Sequence, residues 1–155
     1  MEMKSSLKWA LAVALTSIPT MAVAGMVAPD SVKIEDGVIA MSVSGTAGNP
    51  EAGAKIFKSK KQGNCLACHA NTAMKKQLFH GEVGPTLDGV ADRWKPGEIR
   101  AILVNSKAVF GNETVMPGFY SLEVGKNPRK DLIGKTILSA QEIEDVVAYL
   151  GTLKE

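Results

Sequence analysis

Apolar and polar positions alternate most regularly near the C-terminus, where Ile143, Val146, Val147 and Leu150 fall three or four residues apart and make one stripe of a helix. Ser139-Ala140-Gln141-Glu142 ahead of the stripe has the capping-box form, in which serine and glutamate each satisfy a free backbone amide, and Gly151 follows as a stop. A second helix is predicted from Pro96 to about Asn105, with Ile99, Ile102 and Leu103 at helical spacing behind a proline start. Another opens at Asn49-Pro50-Glu51: asparagine caps, proline is preorganised for the first helical position, and Glu51 suits the positive end of the dipole. Gly53, Ile56 and Phe57 share its face, and it should run to about Lys60, before Gly63. Upstream, Gly25 to Val43 alternates weakly (Val32, Ile34, then Val38, Ala40) around a hairpin-type Asp36-Gly37 turn. So short a pair buries little alone and should lie against the main domain or a partner. Ser44 to Gly48 reads as a flexible joint. No stretch supplies several good strands and no segment repeats, so the expected class is all-α, with an N-terminal arm and linker at 25–48 and the main domain at 49–155.

A chain of 155 residues with 45% apolar composition supports one modest core. Its first residues change the setting. Lys4 and Lys8 precede the apolar run Trp9 to Ile18, followed by Pro19 and the small-residue pattern Ala22-Val23-Ala24, the layout of a secretory signal peptide cleaved near Ala24. A membrane anchor needs about 20 apolar residues, and this run has ten. Without Lys4, Lys8 and Glu2 the net charge is +1, sixteen cations against fifteen acids, which does not suit a nucleic-acid binder. Charge is nevertheless clustered: Lys55, Lys58, Lys60, Lys61, Lys75 and Lys76 lie between Glu51 and Glu82 with no acid among them. They read either as a solvated face or as a collar that steers acidic partners.

Those lysines bracket GNCLACHA, residues 63 to 70, which holds both cysteines of the chain and His69. C-x-x-C-H spacing sets two thiols to add to the two vinyl groups along one haem edge while the adjacent imidazole reaches the iron. Zinc would need a fourth ligand, and His80 is the only other histidine, with no second cysteine pair. A thioredoxin-like pair would follow a strand in an α/β pattern, which is absent, and a disulfide closing so small a loop would constrain little. The motif therefore points to one covalently attached haem c, through Cys65 and Cys68, with His69 on the iron. For the second axial position Met116 lies 47 residues downstream of His69, within Thr114-Val115-Met116-Pro117-Gly118, and its soft thioether would raise the reduction potential. His80 is the competitor; Met74, five residues from His69, leaves little chain to round the ring. Gly84-Pro85 and Leu87 would complete the pocket. The Pro85 carbonyl can accept the other ring N–H of His69, although spacing alone equally fits a loop proline. Trp94 and Arg93 could reach the haem propionates, or be a buried indole and a surface arginine.

Taken together, Asn49 to Leu150 resembles a class I cytochrome c: Gly53 and Phe57 of the first helix would face Val146, Tyr149 and Leu150 of the last, and the cysteine motif, GPTL and MPGF follow in that family's order. Within the class, GNCLACH, GEVGPTLDGVADRW, IRAILVNSKAVFGNETVMPGFY and ILSAQEIEDVVAYL resemble the SoxX family, small haem subunits of the thiosulfate-oxidising SoxAX complex. The resemblance implies a periplasmic heterodimer with SoxA that joins thiosulfate oxidatively to a cysteine of the carrier SoxY and passes two electrons to a cytochrome acceptor. With Cys65 and Cys68 taken by haem, this chain would keep no thiol for a sulfur intermediate, so the catalytic cysteine falls to SoxA and this subunit relays electrons. Two other readings share the same motif. A freestanding carrier would not need the arm or the long segment after Tyr120, and a small peroxidase would need an open iron position without Met116.

Overall fold

A computed structural model of the chain describes residues 25–123, 125 and 127–155. The expected signal peptide, residues 1–24, lies outside them. Among the described residues there are four α-helices, α1 (Pro50–Lys58), α2 (Val90–Arg93), α3 (Pro96–Phe110) and α4 (Ala140–Leu150), joined by irregular segments with short 3-10 turns. None of these helices is long and apolar enough to cross a membrane.

The helices start where their local chemistry requires. Asn49 accepts from the amides of Glu51 and Ala52, and Pro50 occupies the first turn of α1. Ser139 and Glu142 close the expected capping box on α4. α1 ends at Lys58, two residues earlier than expected. α3 runs further than expected because Asn105 does not end it: its backbone turns out of helical geometry (φ −150°, ψ 88°), its side chain accepts from the Ala108 amide, and a further turn follows. Asn105 thus acts as an internal cap, which turns a helix end into a kink. The four-residue α2 was not anticipated.

α1 and α4 cross closely at Gly53, where a Cβ would overlap the carbonyl oxygen of Asp145. Phe57 then meets Tyr149 edge-on, ring centroids 5.4 Å apart. Ile56, Phe57, Ile143, Val146 and Leu150 are buried here together with Leu103 and Val104 of α3, and each fully buried side chain of this kind contributes roughly 1.5–3 kcal/mol.

The arm packs on this core rather than hanging free. Asp36 and Gly37 both take positive φ in a tight turn bridged by Glu35 and Val38, and Ile39 and Val43 are buried. A buried ion pair clasps the arm: Arg100 of α3 meets Glu144 of α4 at 2.8 Å, the arginine also donates to the Ile39 carbonyl, and Glu144 accepts the Val43 amide. The joint expected at residues 44–48 is pinned instead. Ser42 and Ser44 donate to the Thr46 carbonyl, Gln141 donates to that of Ala47, and a Cβ at Gly48 would overlap the α4 backbone. Small polar residues serve here to bring backbone against backbone, not to keep it loose.

Candidate haem cleft

Between α1, α3 and α4 the core opens into a cleft of about 510 Å³, a size within the range of about 300–1,000 Å³ usual for cofactor sites. Its floor is apolar, formed by Phe57, Leu103, Phe119, Val146 and Leu150. Two further sets of residues line it.

The first set comes from the cysteine motif and the segment after it. Cys65, Cys68, His69, Gly84, Pro85 and Leu87 all face the cleft. These two stretches are laced by backbone: Gly81 donates to Leu66, Gly84 to Cys68 and Leu87 to Ala70, at 2.8–3.0 Å. Nδ1 of His69 lies 2.7 Å from the Pro85 carbonyl oxygen. A carbonyl can only accept, so Nδ1 carries the proton and Nε2 keeps its lone pair for a metal. Gly84 leaves the space in which that ring stands, since a Cβ there would overlap the imidazole. Burial pushes the Cys65 thiol up to about 12, with Cys68 adding to the rise. A thiol so placed stays neutral near pH 7 and is a poor nucleophile, unlike the exposed, low-pKa cysteines that carry redox intermediates.

The second set is Thr114, Val115, Met116 and Pro117, with Phe110 at the end of α3. Met116 is half-buried against the core. His80 is elsewhere. Its Nδ1 accepts from the Asn71 amide at 3.4 Å, its Nε2 donates to the Met74 carbonyl at 3.1 Å, and it does not line the cleft. Nor does Met74. Trp94 also stands outside the lining, half-exposed and edge-on to Phe110 with centroids 6.2 Å apart. Arg93 is spent on the carbonyls of Thr86 and Asp88.

The residues present fit a haem. The floor suits a flat apolar ring, two thiols sit where an edge would pass, and an imidazole with a free Nε2 and a thioether share the same space. Among the described residues no group of three or more His, Cys, Asp or Glu is placed to hold a metal ion. Three supports escaped the sequence reading. Asn71, 1% exposed, donates to the Tyr149 hydroxyl at 2.8 Å and ties the cysteine segment to α4. Asp88 accepts from the amide and hydroxyl of Thr72, which holds its carboxyl below the usual carboxylate range. Ser106, buried in α3, donates to the Met116 carbonyl. An Asx or Ser before a short turn hints at the first two; nothing in the residue pattern marks the third.

The lysine cluster takes a definite shape beside the cleft. Lys58, Lys60 and Lys76 border a second depression that shares Asn64 and Ala67 with the first. Phe79, 73% exposed, carries the Lys60 ammonium 4.7 Å above its ring.

Comparison with known proteins gives a consistent result. The family model for cytochrome c matches residues 50–154. A search of the curated proteins gives no match. Among solved structures the chain is similar to one from the crystal structure of SoxXA from P. pantotrophus, with 40% identity and a TM-score of 0.77, over 84% of this chain and all of that one. With the helical fold, the cleft and its donor set already in place, these matches show that the chain belongs to the cytochrome c family and, within it, to the SoxX proteins.

Proposed function

We propose that this chain is the haem-bearing electron-transfer subunit of a SoxAX complex, which joins thiosulfate oxidatively to a cysteine of the carrier SoxY. One observation carries the reading: two thiols, an imidazole with a free Nε2 and a methionine meet in one apolar cleft of a chain 40% identical to one of SoxXA.

Cys65 and Cys68 would hold haem c through two thioethers, and His69 and Met116 would take the two axial positions of its iron. When bound, the group supplies reversible one-electron exchange. The residues around it restrict the chemistry to that. Pro85 fixes the imidazole tautomer and raises its basicity; Leu87 and the apolar floor keep water from the ring. The soft Met116 sulfur would favour reduced iron and would leave no open position for peroxidase chemistry. The engagement of both His80 nitrogens outside the cleft favours methionine over a second histidine.

In the reaction of the complex a sulfur–sulfur bond forms between thiosulfate and the carrier's cysteine, the thiol proton leaves, and two electrons pass on to a cytochrome acceptor. Cys65 and Cys68 are committed to haem, which leaves no thiol here to carry sulfur. The catalytic cysteine is therefore assigned to SoxA, and the enzyme is a heterodimeric cysteine S-thiosulfotransferase. Residues 1–24 would direct the chain to the periplasm and be removed near Ala24.

Co-expression with SoxA tests this. The chain should purify as a heterodimer whose haem is reduced by thiosulfate only when SoxA and the SoxY thiol are both present. Purification free of SoxA, or thiosulfate-dependent reduction by the chain alone, would return it to a freestanding carrier. Met116→Ala should abolish the sulfur-to-iron absorption band of the oxidised protein; an unchanged spectrum would remove Met116 from the iron.

A further inference from the structure

α3 binds the loop that carries Met116 from both sides of its own break. Before the break, the carbonyls of Leu103 and Val104 accept the amides of Phe119 at 2.9 Å and Tyr120 at 3.2 Å. After it, the Ser106 hydroxyl donates to the Met116 carbonyl at 2.5 Å, and the Lys107 ammonium donates to that of Thr114 at 2.7 Å. The two facts are connected. Helical bonds spanning Asn105 would use the carbonyls of Leu103 and Val104, and with its φ of −150° and ψ of 88° those bonds cannot close. The Ala108 amide turns instead to the Asn105 side chain. The kink thus frees two backbone acceptors, the Ser106 and Lys107 side chains add two donors beside them, and the loop from Thr114 to Tyr120 takes all four.

Ser106 is the innermost of these groups, 0% exposed. A buried hydroxyl must find a partner, and this one finds the carbonyl of the very residue whose sulfur would meet the iron. We propose that Ser106 is a positioning residue for Met116. By fixing the Met116 carbonyl, while Lys107 fixes Thr114, the kinked helix holds the thioether in the cleft and sets how readily an outside ligand displaces it from oxidised iron. The proposal rests on Met116 as axial ligand. A thioether is a weak ligand for the oxidised metal, so its hold depends on how little freedom the loop has.

The test is an imidazole titration of the oxidised, haem-loaded protein, read from loss of the sulfur-to-iron band. Ser106→Ala leaves the Met116 carbonyl without its donor and is expected to tighten apparent imidazole binding about tenfold, with a lower reduction potential. Lys107→Gln should shift it in the same direction by a smaller factor. Ile99→Val, which trims the buried core of the first half of α3, serves as the stability control and should leave imidazole affinity unchanged.

Equal affinities for Ser106→Ala and the unaltered protein would overturn the proposal, as would a shift of the same size in Ile99→Val. Should Ser106→Ala fail to fold, Lys107→Gln decides by the same readout, and no change there overturns it. If the unaltered protein shows no sulfur-to-iron band, the Met116 ligation fails; a band that Ser106→Ala does not loosen sinks the positioning role alone.

Discussion

On the His69 side of the cleft the chain fastens to itself within a short stretch, amide to carbonyl, from Cys65 to Leu87. On the Met116 side the loop makes few such internal bonds and is held by a helix that breaks to receive it. The first arrangement is local and close-packed, with a glycine against the imidazole. The second depends on α3 standing in place, and α3 in turn depends on its ion pair with α4 and the arm. A carrier of electrons gains from the difference. On the proposed ligation the imidazole would have one position, while the thioether's hold would be tuned by residues that never touch the iron.

The largest expected effect tests that dependence. Arg100→Met strips the buried partner from Glu144 and should cost about 3–5 kcal/mol of stability in chemical denaturation. Because α3 holds the methionine loop through its kink, the sulfur-to-iron band should fade at lower denaturant than the signal of His69 ligation. Simultaneous loss would erase the distinction between the two sides. Gly84→Ala attacks the other side: its Cβ overlaps the His69 ring, and overpacking of this kind costs about 1–3 kcal/mol. It should disturb histidine ligation and haem yield during maturation, and a normal spectrum with normal yield would show the imidazole wall to be looser than described.

A smaller effect is expected from Tyr120→Phe. The Tyr120 hydroxyl donates to the Val27 carbonyl at 2.8 Å and ties the arm to the methionine loop, so its removal should cost about 1 kcal/mol, visible in thermal unfolding with the His69 side unaffected. Smallest is an acid effect at Asp88. Hydrogen bonds from Thr72 hold its carboxyl below the ordinary value of 3.8. The stabilisation it gives is therefore present above that pH and is lost as pH falls through the lowered value. Asp88→Asn should remove this part of the acid limb from the stability profile; an identical acid limb in both proteins would contradict it.

Which features were legible follows from how each is held. Caps are written in neighbouring residues, so Asn49-Pro50 and the Ser139–Glu142 box located two helices in advance. The C-x-x-C-H chemistry was equally plain, because covalent haem attachment depends on adjacent residues. Features that need two distant segments were hidden. Nothing near Arg100 names Glu144, and nothing near Ser106 names the Met116 carbonyl. The helical spacing of Ile99, Ile102 and Leu103 carries α3 only to about Asn105; the cap that Asn105 puts on the next turn depends on the loop that takes the freed carbonyls. The serine, threonine and glycines of 44–48 read locally as a flexible joint, and contact with α4 reverses it. The choice between Met116 and His80 likewise turns on the Met74 carbonyl and the Asn71 amide, which occupy His80 from outside its immediate sequence.

The central claim is a single haem sewn to this polypeptide through Cys65 and Cys68. The intact mass of the purified protein after acid denaturation measures it directly. The account predicts the mass of the chain plus one haem, lost in a Cys65→Ser, Cys68→Ser double variant; a bare polypeptide mass from native material would contradict it.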